Sequence, residues 1–146
     1  MPYDASADIA DQIIESCEKH WSRFKSDCSG FVKAVASDFG IQLSGDANLI
    51  VKSISTSWVL ATDGAAAARQ AAAGNLVIAG LAETDGTHGH VAIVVQGSVL
   101  RGKYPTGYWG RLGGQGAKKK TLNYAWGPEE RDSVEYYYKK IANLTS

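Results

Sequence analysis

The chain has no excess charge of either sign, no long apolar run and only two cysteines. Its fifteen basic and fifteen acidic side chains cancel, so no whole-molecule field draws it to nucleic acid or to an anionic membrane. The one basic cluster, Lys118, Lys119 and Lys120, is short and reads as a solvated loop or strand edge rather than a phosphate-binding patch. No apolar stretch reaches the roughly 18 residues of a membrane-spanning helix, so membrane insertion is not expected. The opening residues, MPYDASADIADQ, carry neither the basic nor the apolar segment of a Sec-type signal, and a product made in the cytoplasm without that signal is expected. Cys17 and Cys28 cannot build a disulfide framework, although counting alone leaves one bridge open. There is no G-x-S-x-G elbow, and the glycine-rich run 107–116 neither follows a dinucleotide or phosphate-loop pattern nor opens a helix. No repeat spacing suggests a solenoid.

What is present suffices for one globular domain over residues 1–146. Apolar residues at 45% supply a core and charged residues at 21% a solvated surface. Ile9, Ile13, Cys17 and Trp21 recur at steps of four and make one stripe of an amphipathic helix over residues 6–21. A second helix runs from about Cys28 to Phe39, with Ser26 or Asp27 as its N-cap and Gly40 as its stop. Asp46 caps a third through Leu49, Ile50, Ile54 and Trp58, and the alanine-rich DGAAAARQAAAG makes a fourth, ending at Gly74. There the period changes. NLVIAGL (75–81) and HVAIVVQG (90–97) read as strands joined by a turn into an antiparallel hairpin. SVLRGKY (98–104), TLNYAW (121–126) and SVEYYYKKI (133–141) read as further strands, the last also compatible with a helix. GKYPTGYWGRLGGQG (102–116) reads as a long surface loop carrying Tyr104, Tyr108 and Trp109. Helices first and antiparallel strands after them make an α+β fold.

The chemistry centres on SDCSGFV, residues 26–32. A thiolate is the reactive form of cysteine, and the first turn of a helix lowers its pKa. Cys28 has that placement, whereas Cys17 lies mid-stripe between Ile13 and Trp21 and reads as inert packing. Asp27 opposes ionisation of its neighbour, so a histidine partner is needed. His20 sits at the end of the first helix, where a solvent-facing or helix-terminal role is favoured. His88 and His90 flank Gly89 at the entry to a strand, on one face of it, and only one of them can pair with Cys28. A metal site begun by the two histidines is disfavoured, because Glu83 and Asp85 nearby show no ligand spacing, and no metal or other cofactor is expected. On residues alone, cysteine peptidase or acyl-transfer chemistry at Cys28 and His90 competes with an inert core cysteine.

DCSGFV at 27–32 followed by GHVAIVV at 89–95 resembles the NlpC-type cysteine peptidases that cut bacterial cell-wall peptides. With DCSGFVKAVASDFGI, GNLVIAGL and KYP at 103–105, the chain is more narrowly similar to the first family of type VI secretion amidase effectors, over about residues 9–140. That resemblance implies a papain-like NlpC fold with Cys28 as nucleophile, His90 as general base, and Asp27 and Ser29 as substrate contacts. It gives His88 no role. The implied reaction is hydrolysis of the γ-D-glutamyl–meso-diaminopimelate bond of peptidoglycan, with a muramoyl-L-alanine amidase or a silent wall-binding module as alternatives. The implied partners are peptidoglycan, the type VI secretion machinery and a cognate immunity protein, around a monomer acting in the periplasm of target bacteria. The pattern breaks at the residue that orients the histidine. Positions 100–103 read Leu-Arg-Gly-Lys, and the cysteine expected in the segment aligning with GYWG (107–110) is absent.

Overall fold

The computed structural model describes residues 5–83 and 89–141. Four helices come early: α1 (Ala5–Phe24), α2 (Cys28–Asp38), α3 (Ala47–Ser57) and α4 (Gly64–Ala72). A short strand, β1 (Val59–Ala61), separates the last two. Then follow β2 (Asn75–Leu81), β3 (His90–Leu100), β4 (Tyr104–Trp109), β5 (Ala117–Thr121), a 3₁₀ turn at Leu122–Tyr124 and β6 (Glu135–Lys140). The strands form one sheet in the order β1-β6-β2-β3-β4-β5, every neighbour antiparallel. This is the α+β architecture read from the sequence.

Each helix after the first starts on an aspartate whose side chain accepts a backbone N–H three residues on: Asp27 from Gly30 at 3.0 Å, Asp46 from Leu49 at 3.0 Å and Asp63 from Ala66 at 2.8 Å. Such caps satisfy donors the helix itself leaves unpaired. Helix α2 ends before Gly40, whose φ of 76° few other residues adopt.

Alternation along the central strands builds two cores. Leu76, Ile78, Val91, Ile93 and Val95 pack with Phe31, Val35, Ile50 and Ile54 under α1, α2 and α3. Val77, Ala79, Ala92 and Val94 turn to the other face, against Ala67 and Ala71 of α4 and against Leu122, Trp126 and Tyr136. The alanines of α4 thus serve close approach to the sheet, not disorder. Lys118, Lys119 and Lys120 lie exposed on edge strand β5.

Four sequence readings change. Residues 104–109 are not loop: β4 is buried along its whole length and pairs with both β3 and β5. Its glycine serves contact, since a Cβ on Gly107 would press on the Ile93 carbonyl, and only residues 110–116 connect it to β5. Residues 98–100 continue β3 past a register shift between Val94 and Val99, so 98–104 runs across a turn instead of forming its own strand. Residues 122–124 coil into the 3₁₀ turn, and Trp58 caps α3 from outside it.

Candidate active site

The site lies at one end of the sheet, where the start of α2 meets the start of β3. Cys28 is the first residue of α2 and is 7% exposed. The backbone N–H groups of Val91, Ser29 and Cys28 itself favour its thiolate form. Cys28 packs in one core cluster with Val91, the residue next to His90. Burial raises the Cys28 pKa above its ordinary value; the Val91 amide opposes that, and the Asp27 charge adds to the rise. The resting thiol is therefore neutral at physiological pH.

The DCSG sequence is explained locally. The Asp27 carboxylate accepts both the Gly30 amide at 3.0 Å and the Ser29 hydroxyl at 3.2 Å. A side chain on Gly30 would collide with that carboxylate, so the cap and the glycine require each other. A cleft of about 200 Å³ opens beside the thiol, lined by Asp27, Cys28, Ser29, Asp46, Gly89 and Leu112 among others. Leu112 is 57% exposed and gives it an apolar rim. A larger cavity of about 390 Å³, around Tyr104, Arg131 and Asp132, contains no cysteine or histidine.

His90 begins β3, opposite Leu81 of β2. Its place in the strand puts it on the side of Ala92 and Val94, so its ring packs edge to face on Trp126, with centroids 4.9 Å apart. Burial and the nearby Arg111 guanidinium, in that order, push its pKa down to about 4. At neutral pH it is an unprotonated base. Nε2 is buried with no hydrogen-bond partner among the described residues. Thiol and imidazole are not hydrogen-bonded to each other, as is common before substrate binds. The structure thus brings Cys28, Asp27, Ser29 and the backbone beside His90 to one cleft.

The other sequence candidates fall elsewhere. His20 bonds Asp38 at 2.9 Å, at the far end of α2 and about 15 Å along that helix from Cys28. Cys17 is fully buried and free, with its pKa raised by burial and then by Glu18. His88 lies outside the described residues. Tyr104, Tyr108 and Trp109 are core residues: Tyr108 donates to Glu18 at 2.6 Å, and the Trp109 carbonyl accepts from Trp21 at 3.0 Å. Gly110 packs so closely on the Phe24 and Asp27 carbonyls that any side chain there would collide. No side chain of segment 107–110 hydrogen-bonds Nε2 of His90. Sequence reasoning missed Arg111 and Trp126, and no motif or periodicity marks either one. Among the described residues, no group of three His, Cys, Asp or Glu side chains could hold a metal ion. No helix among them is long and apolar enough to cross a membrane.

A sequence profile of the NlpC/P60 family matches residues 17–108 of this chain. The chain is also 37% identical, over 150 aligned positions covering 94% of it and 96% of the relative, to peptidoglycan amidase Tse1 of Pseudomonas aeruginosa.

Proposed function

The chain belongs to the NlpC/P60 family of cysteine peptidases, and on that premise we propose that it hydrolyses peptidoglycan stem peptides with Cys28 as nucleophile and His90 as general base. The observation that supports this reading is the place of Cys28, the first residue of α2, in a cleft lined also by Gly89, the residue before His90. His90 takes the thiol proton as the sulfur attacks the amide carbonyl. The backbone N–H groups at the start of α2 stabilise the resulting oxyanion, which a helix N-terminus does without reorganisation. The imidazolium then gives its proton to the leaving amine, and water activated by His90 releases the acyl-enzyme.

Asp27 and Ser29 line the cleft, where they would contact the stem peptide. The bond we propose is γ-D-glutamyl–meso-diaminopimelate. The relative is a peptidoglycan amidase by name, which supports the substrate class. The chain would act as one catalytic unit and as a monomer. It would be delivered by a type VI secretion machinery to the periplasm of target bacteria and held in check in the producer by an immunity protein. Mass analysis of purified sacculi after digestion tests the bond: the account expects a new amino terminus on diaminopimelate. A free L-alanine amino terminus on the released stem would instead assign the cut to the muramoyl–L-alanine bond.

A further inference from the structure

We propose that Trp126 is the positioning residue of His90, holding the imidazole by edge-to-face packing in place of a hydrogen bond to a polar side chain. This rests on the reading of Cys28 and His90 as nucleophile and base. Several observations converge on it. Nε2 of His90 is sealed from solvent and has no hydrogen-bond partner among the described residues, so none of their polar groups fixes the ring through that nitrogen. The indole is the aromatic contact it does make, at 4.9 Å between centroids, within the range where such pairs are favourable. Trp126 is itself 6% exposed and seated in the second core with Leu122 and Ala125, so it is a fixed wall. The backbone just before it is clamped from the site side, because the Arg111 guanidinium donates to the Ala125 carbonyl at 2.8 Å. Both residues lie beyond the segment matching the family profile, which ends at residue 108.

The arrangement has a chemical consequence. A base that lacks a hydrogen-bonded orienter is left to rotate, and misplacement by about 1 Å can cost on the order of 100-fold in rate. Packing on a large immobile ring removes that freedom without placing a carboxylate or amide on Nε2.

The test compares Trp126→Phe and Trp126→Leu with the wild type on purified peptidoglycan. Each variant is checked for fold by circular dichroism and thermal melting, and kcat and KM are measured separately. Phe keeps an aromatic edge and is expected to retain kcat within about threefold, whereas Leu fills apolar space without one and is expected to lose on the order of 10- to 100-fold in kcat at unchanged KM. A folded Trp126→Leu enzyme with wild-type kcat overturns the proposal, as does a Phe variant as impaired as the Leu variant. If Trp126→Leu fails to fold, the Phe variant still decides against wild type together with Arg111→Met, which frees the clamp and is expected to lower kcat. A wild-type kcat in that variant would count against the proposal. Cys28→Ala in the same assay separates the two failures, since activity there would refute the Cys28–His90 reading and leave nothing to position.

Discussion

At the residue scale the site is a pair of groups held uncharged by their surroundings. The His90 pKa is about 4 in the folded chain, against an ordinary value of 6.5. The unfolded chain therefore binds a proton that the folded chain refuses between those values. Stability rises with pH where the unfolded state binds more protons, so this contribution is intact above 6.5 and is lost as pH falls toward 4. The gap corresponds to roughly 3 kcal/mol. Urea melts of wild type and His90→Gln across pH 4–7 should show a steeper acid loss in the wild type, and parallel curves would disprove the burial account. Asp27 works on the partner. Its charge raises the Cys28 pKa, while its side chain caps α2. Asp27→Asn keeps an acceptor for the cap and removes the charge, so Cys28 should alkylate faster at neutral pH with little loss of stability. Slower alkylation would reverse the sign we assign.

At the element scale, the start of α2 is defined by contacts that forbid side chains. Gly110, at the end of β4, lies against the carbonyls of Phe24 and Asp27, and the Arg111 and Gly116 amides donate to Lys25 at 3.0 and 2.8 Å. The nucleophile turn is thus laced to the β4–β5 connection. Gly110→Ala should cost about 1–3 kcal/mol by overpacking, measured by urea denaturation, and a neutral effect would mean the turn is free to shift. These contacts also explain what the sequence conceals. The helices, β2, β3 and β6 are legible because apolar spacing and aspartate caps are local signals. Strand β4 is not, because Gly107 and Gly110 suggest loop freedom while serving close backbone approach. Cys28 and His90 stand out through their motifs and their placement at element starts. Trp126 and Arg111 follow no period and reach the site only through the fold.

At the scale of the whole molecule, the last strand is not peripheral. β6 is the link between β1 and β2, pairing Tyr136, Tyr137 and Tyr138 with both neighbours. Both Tyr136 and Tyr137 are buried, one in each core. A chain ending before Glu135 should lose cooperative unfolding by circular dichroism, although the family profile ends at residue 108. The sheet keeps the two cores apart, and the site sits where they meet at its end, with Cys28 in the helix-covered core and His90 leaning on the other.

The central claim is that Cys28, and not Cys17, carries the hydrolysis. Iodoacetamide treatment of the native protein, with intact mass and residual digestion of sacculi followed together, tests it most directly. The account predicts a single adduct on Cys28, none on the fully buried Cys17, and activity lost in proportion to labelling. Full digestion by protein completely alkylated at Cys28 would contradict it.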